Sequence, residues 1–367
     1  MSIELHQISK EFGRTPAVKD ISLSVNEGEL MALVGPSGGG KTTVLRVIAG
    51  LEHPDEGDVF IRGQCVNTVP VQQRNIGFVF QNYALFKTMN VQRNIAFGLK
   101  IKKWARKDIR ARVAELLELL GLTGLEHRFP HQLSGGQRQR VAIARALAPK
   151  PTVLLLDEPF GAVDARIRQD LREWLVRLHH DLNITTIFVT HDQEEAMEVA
   201  DRIAIFSKGK LEQVGTPREV YDRPANEFVA RFIGVMNVIE ADVHQNRARA
   251  EELEFVVPGI SDGERIRIGF RPYAVHVSPD LSQYRYQAVI RHVFFLGVML
   301  RLELELASGL TVRARLTKEE YSQLGLAENQ RVSFEIRQFR VLTSETGFLQ
   351  PEIQTEDDRP VSFADGI

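Results

Sequence analysis

Two kinds of hydrophobic run alternate along the first 235 residues. Alternating segments at 2–8 and 21–25 and a continuous apolar run at 30–34 are separated by turn-formers such as Gly13 and the Asn26, Glu27, Gly28 triplet, and they read as strands. Val44, Leu45, Val47 and Ile48 then recur at helical spacing ahead of Gly50, which predicts a helix over 40–49. A second helix is predicted over 108–120 from Ile109, Val113, Leu116, Leu117 and Leu120, with Gly121 as its cap. Beyond it come a helix at 137–148 stopped by Pro149, an apolar strand at 152–156, a helix capped by Asp164 that carries Ile167, Leu171, Leu175 and Leu178, and a strand at 184–189. Strands alternating with helices in this way predict an α/β domain whose largely parallel sheet is covered on both faces.

The period changes after 232–234. Short β-like runs at 265–270, 286–293, 299–306, 310–316 and 332–336, with turns between them, predict a separate all-β domain. The expected organisation is 1–235 for the α/β domain, with a helical subdomain at about 87–150, then 236–355 for the β domain and an acidic, loose tail at 356–367.

Composition narrows the class. The chain has 367 residues, 43% of them hydrophobic, which is ample for a core and points to two or three domains. Forty-six basic against 48 acidic residues leave a formal charge of -2, so no global positive field argues for nucleic acid or an anionic membrane surface. The cluster Arg106, Lys107, Arg110 and Arg112 is expected to be the solvated face of its helix. The single cysteine, Cys65, excludes an intrachain disulfide and a multi-cysteine metal site, and fits a reducing compartment. No apolar run approaches the roughly 18–20 residues needed to span a bilayer, and the N-terminus lacks a signal-peptide core. A role at a membrane is therefore expected to depend on partners.

Candidate chemistry begins at 35–43, GPSGGGKTT, which follows the apolar run 30–34 and opens the helix at 40–49. Glycines let the backbone amides curl around phosphates, Lys41 brings a point charge to them, and Thr42 is placed to ligate magnesium. Asp157 ends an apolar strand and Glu158 follows it, suiting a metal ligand beside a water-polarising base. On the plainer reading the two acids merely cap the next turn. His191 ends another strand and projects toward the same edge of a parallel sheet. Gln81 follows the strand-like 77–80 and can offer its amide to magnesium or to the attacking water. Phe12 offers a flat face to a base, although aromatics near an N-terminal strand more often fill a core.

Together with LSGGQ at 133–137 and LLLDE at 154–158, these residues resemble the ATP-binding subunits of ABC transporters. The resemblance covers the first 235 residues and implies a P-loop NTPase fold that binds ATP and Mg2+ and hydrolyses ATP. It implies that Phe12 stacks on adenine and that Gly35, Pro36, Ser37, Gly38, Gly39, Gly40, Lys41, Thr42, Thr43 and Gln81 bind ATP. Thr42, Gln81 and Asp157 would hold the metal, with Glu158, His191 and Lys41 as catalytic residues: base, γ-phosphate contact and charge stabiliser. It also implies a head-to-tail homodimer in which Ser134, Gly135, Gly136 and Gln137 of one subunit complete the site of the other, with Asp164 in the dimer loop. Physically, Ser134 and the glycine amides start a helix, so their free donors suit an incoming phosphate. Gly39 stands where the family often has serine, and Val163 where leucine is commoner.

One phosphate loop and no membrane span imply a free subunit at the cytoplasmic face of the cell membrane. Its partners would be two integral membrane permease subunits and, through them, an external solute-binding protein, with no nucleic acid. QNYALF at 81–86 looks like the permease-contacting surface of importers, provided that Tyr83 and Phe86 do not pack inside the helical subdomain. The β domain resembles the OB-like (TOBE) regulatory module of such importers, with dimer contact as its minimal role. FVFQNYALF, NIAFGL, FVTHDQEEAMEVADRIAIF and FIGVMNV look closest to the sulfate/thiosulfate branch. Polyamine, iron, molybdate and sugar import stay open, as does a soluble ABC ATPase without a transport role.

Overall fold

A computed structural model describes residues 1–161, 165–342 and 353–354. Asp164 and the acidic tail therefore lie outside the described residues. The chain divides into two compact units, Met1–Arg223 and Pro224–Ile367. The division falls before the short helix Glu227–Phe232, whereas the change of hydrophobic period is read after it.

In the first unit a six-stranded sheet runs Lys210–Gly215, Arg202–Ser207, Leu30–Val34, Thr185–Thr190, Val153–Asp157, Ile76–Val79. Every neighbouring pair is parallel except Lys210–Gly215, an antiparallel edge strand. Leu30–Val34 and Val153–Asp157 are buried at every position, and parallel strands covered on both faces need apolar side chains on both.

The N-terminal strands do not join that sheet. Thr15–Val25, Ile3–Phe12, Glu56–Ile61 and Gln64–Cys65 form an antiparallel sheet of their own. Helix Lys41–Ala49 packs between the two. Its Val44, Leu45, Val47 and Ile48 are fully buried and share one core with Ile3, Leu5 and Val59 on one side and Leu33, Leu155 and Val189 on the other. Each such aliphatic side chain contributes roughly 1.5–3 kcal/mol on burial. Gly50, at φ 77°, ends the helix by donating to Val47 O.

Helices Val91–Ile101, Arg106–Leu119 and Gly135–Leu147 make up the middle of the unit. Gly121 at φ 62° closes the second of these, with its amide on Glu118 O and that of Leu122 on Leu117 O. The basic face of this helix is not all solvated. Arg112 is turned inward, its Nη2 on Leu147 O at 2.9 Å and its Nε on Ala148 O at 3.4 Å. Those carbonyls end the helix before Pro149 and have no intrahelical donor, so a guanidinium is the natural partner.

The second unit is all-β apart from short helices. Its strands form two antiparallel sheets, one ordered Leu253–Val256, Arg247–Ala250, Asn237–His244, Arg265–Phe270, Gln338–Leu342, Ile353–Gln354 and the other Val275–Ser278, Arg331–Ile336, Tyr286–Leu296, Met299–Glu305, Thr311–Thr317. One core joins them, including Ile239, Ile268 and Phe270 from the first sheet with Ile290, Leu302 and Phe334 from the second. The strands before 265 and at 275–278 were not expected from the sequence; Arg247–Ala250, Leu253–Val256 and Val275–Ser278 have four residues each and offer only two inward positions to recognise, whereas Asn237–His244 has eight and alternates buried with more exposed positions.

Candidate functional site

Parallel strands deliver their C-terminal ends to one edge of the sheet. Val34 pairs with Thr190 and Asp157 with Val189, so the loop after Val34, the acids after Leu156 and His191 emerge side by side. Gln81 arrives from the neighbouring strand Ile76–Val79.

The loop 35–40 is shaped by backbone that only glycine tolerates. Gly35, at φ 152°, lies so close to Phe206 that an added Cβ would sit 2.1 Å from its carbonyl oxygen. Gly40, at φ 96°, would meet Ala17 O and Val18 Cγ1 at 2.6 Å. Gly38 also has positive φ but open space around it, while Gly39 does not need glycine's conformational range. Gly39 and Gly40 are buried; Pro36, Ser37 and Gly38 are exposed, with Thr43 half-buried on the first turn of the helix. The buried Lys41 ammonium donates to Gly35 O and Pro36 O, each at 2.8 Å. Burial lowers its pKa from the ordinary value, and the nearby carboxylates of Glu158 and Asp157 oppose that shift.

Thr42 Oγ1 donates to Asp157 Oδ1 at 3.1 Å, joining the loop to the acidic strand. Burial pushes the Asp157 carboxyl above the usual range, against the Thr42 hydrogen bond and the field of Arg46. Glu158 is met from two sides: Gln81 Nε2 donates to Oε2 at 2.7 Å, and His191 Nδ1 stands 3.6 Å from Oε1. The backbone of Glu158 is left-handed, φ 47°, a costly conformation for a residue with a Cβ. Its amide donates to Val189 O, which anchors the turn that aims the carboxylate. Six of the expected residues, Lys41, Thr42, Gln81, Asp157, Glu158 and His191, thus form one constellation.

Hard oxygen donors from Thr42, Asp157 and Gln81 suit magnesium, and a dication there would offset the cost of the buried Asp157 charge. Among the described residues no group of three His, Cys, Asp or Glu offers another metal site.

The signature residues stand apart. Ser134 caps helix Gly135–Leu147, its Oγ accepting from Gln137 N at 3.2 Å while Gln137 Oε1 accepts from Ser134 N at 2.9 Å. Among the described residues no hydrogen bond or ion pair joins Ser134, Gly135, Gly136 or Gln137 to the phosphate loop, Glu158 or His191. Phe12 is 48% exposed at the end of a hairpin whose other strand brings Ala17 and Val18 against Gly40. Tyr83 is 5% exposed and does not present its ring to a partner, whereas Phe86 is half-buried against Phe97 and beneath Arg145, and Gln81, Asn82 and Ala84 are exposed. The backbone carbonyls of Tyr83 and Ala84 accept from Arg145.

Arg168, Thr190 and Glu195, which the sequence did not single out, lie beside the constellation with Glu158, Gly161 and His191 around a small cavity of about 40 Å³. Glu195 sits among Glu194 and Glu198 in one helix, and only burial distinguishes it from those solvated acids.

A profile of the ABC transporter family matches residues 18–161, and one of a TOBE-like domain matches residues 285–337. The chain is 49% identical over 340 residues to the sulfate/thiosulfate import ATP-binding protein CysA of Synechococcus elongatus, covering 93% of this chain and 96% of that protein. Against CysA of Thermosynechococcus vestitus identity is 50% over 340 residues, covering 92% and 97%. Against that of Pectobacterium atrosepticum it is 48% over 345 residues, covering 92% and 98%. Among solved structures, a dimeric ATP-binding cassette in a post-hydrolysis state bound to ADP and Pi superposes with a TM-score of 0.53 at 34% identity, covering 59% of this chain and 99% of that one. A dimeric bacterial ABC transporter cassette matches at 0.53 and 35%, with the same coverage.

Proposed function

The chain belongs to the ATP-binding subunits of ABC importers, and on that premise we propose that it hydrolyses ATP to drive sulfate or thiosulfate through a separate membrane permease. One observation carries the catalytic part: Gln81 and His191 converge on the Glu158 carboxylate while Thr42 holds Asp157 beside the phosphate loop.

In this reading the loop 35–43 and Phe12 bind ATP, and Lys41 stabilises charge developing on the phosphates. Thr42, Asp157 and Gln81 would hold magnesium, which would neutralise phosphate charge. Glu158 takes the proton of the attacking water, Gln81 orients that water, and His191 contacts the γ-phosphate. Ser134, Gly135, Gly136 and Gln137 serve the ATP of a second copy of the chain. The lack of any hydrogen bond or ion pair between them and the chain's own constellation among the described residues supports that division, and the amides of Gly135 and Gly136 start the helix beside the Ser134 cap. Asp164 would lie at the seam of such a homodimer.

Among the described residues no helix is long and apolar enough to cross a membrane. We place the subunit on the cytoplasmic face of the membrane, held by two permease subunits that receive solute from an external binding protein. Beside the run 81–86, a second docking surface is a groove of about 1120 Å³ between helices Val91–Ile101 and Arg106–Leu119. Its apolar floor, Ile109, Val113 and Leu117, is less than a tenth exposed, and around it stand exposed Arg93, Lys100, Arg106 and Arg110 together with Glu118 and Glu126. An amphipathic permease helix with acidic residues fits that surface. The β unit is assigned dimer contact.

The test is reconstitution with the permease in lipid vesicles and measurement of labelled sulfate uptake on adding ATP. ATP-dependent sulfate accumulation, abolished by Glu158→Gln, is expected. Uptake of a polyamine, iron, molybdate or a sugar instead would overturn the sulfate reading, and failure to co-purify with any membrane protein would overturn transport itself.

A further inference from the structure

His191 is 60% exposed at its side chain, so packing does not hold its ring in place. What holds it is the backbone on either side. Thr190, fully inside the sheet, donates its hydroxyl to Glu195 Oε2 and accepts from the amide of Asp192 at 3.0 Å. One hydroxyl therefore ties together the residues before and after His191. Glu195 is itself 4% exposed, and a carboxylate so deeply placed is costly unless it is paired. Its partners are that hydroxyl and Arg168, whose Nε stands 3.7 Å from Oε1 and whose Nη1 stands 4.0 Å from Asp192 Oδ2. Arg168 belongs to helix Ala165–Leu182, Glu195 to helix Gln193–Val199, and Thr190 to the central sheet. Three elements are thus fastened at the one turn that carries the histidine.

We propose that Glu195 is a positioning residue for ATP hydrolysis, acting through Thr190 and Arg168 to fix His191 beside Glu158. This rests on the γ-phosphate role given to His191 above. Burial shifts the Glu195 carboxyl upward, opposed by the Thr190 hydrogen bond and the charges of Arg168 and Arg172, so the pairing offsets only part of the cost of keeping the group there. A group acting at this remove from the reacting atoms works through geometry, and small displacements of a catalytic side chain are expensive.

The test is a double-mutant cycle on the full-length protein, reading kcat and KM for ATP. Glu195→Ala is expected to lower kcat roughly 10- to 100-fold with KM unchanged. In a His191→Ala background the same change should cost nothing further, because the residue it positions is gone. Glu195→Gln, which can still accept from Thr190, should recover part of kcat. Thr190→Val, which keeps the shape and removes the hydroxyl, carries the same cycle where Glu195→Ala does not yield folded protein. A loss of equal size in both backgrounds, or a rise in KM with kcat unchanged, overturns the proposal. Wild-type kcat in His191→Ala alone overturns the role of His191, and the positioning proposal with it.

Discussion

Replacing Glu158 by glutamine keeps the side chain's length and removes its charge and its capacity to take a proton. The amide oxygen can still accept from Gln81 Nε2, now 2.7 Å from the carboxylate. What is lost on that side is the charge-assisted part of one hydrogen bond on a group 23% exposed, worth about 1 kcal/mol at most. The barrier is a different matter. Proton abstraction by a placed base contributes roughly 10²- to 10⁴-fold to rate, which at 1.36 kcal/mol per decade is about 3–5 kcal/mol. Removing a negative charge from beside the phosphate loop also reduces repulsion toward a triphosphate, so ATP affinity should hold or rise. The assay pairs phosphate release at saturating ATP with direct measurement of ATP binding and of Tm. Turnover should fall at least 100-fold while binding and Tm stay near wild type. Turnover within about fivefold of wild type, or a loss that tracks lost ATP binding, would refute the assignment of Glu158 as base.

Gly35→Ala forces a Cβ to 2.1 Å from Phe206 O and should lower stability by about 1–3 kcal/mol or more and abolish ATP binding, whereas Gly38→Ala meets open space and should cost only the left-handed backbone, about 1–2 kcal/mol. Thermal melts with and without ATP separate the two. Arg112→Ala takes the donor from Ala148 O and leaves Leu147 O only the amide of Lys150, and should destabilise the end of that helix by about 1–3 kcal/mol, read as faster amide exchange at 143–148. In the second unit, the hydrogen bond from Arg285, helped by Arg249 and Arg247, holds the Glu254 carboxyl at about 2, below its ordinary 4.5. A depressed carboxylate stabilises the fold above its unfolded pKa and loses that contribution as pH falls toward 2. Stability from urea titrations should therefore decline between pH 4.5 and 2, and Glu254→Gln should make that decline shallower; an unchanged pH slope would count against the arginine cluster as its cause.

Local order was legible wherever one segment met one demand. The run Leu30–Val34 reads as a strand buried on both faces because each of its positions is apolar, and helix Lys41–Ala49 reads from its spacing and from Gly50 behind it. The cap at Gly121 follows from the same kind of signal. Reading failed where a residue's surroundings come from distant segments. Arg112 has the sequence setting of Arg110, yet one holds another helix's end and the other faces solvent. Tyr83 lies in an exposed-looking loop and is buried. The first strands precede the phosphate loop as if they belonged to its sheet, but they build a second sheet against the far side of the helix.

The candidate site divides along the same line. Sequence by itself determined the glycine-rich loop, since strand, glycines, lysine and helix are contiguous and the positive φ at Gly35, Gly38 and Gly40 lies within glycine's local range. It also determined that Asp157, Glu158 and His191 follow strands. Only the tertiary structure decided that Gln81 and His191 meet on Glu158, that the residues 134–137 stand apart from them, and that Glu195 alone among its helix's acids turns inward. The reason is physical: a backbone conformation depends on a residue and its neighbours in sequence, whereas burial, desolvation and charge pairing depend on which strands and helices the whole chain packs against it.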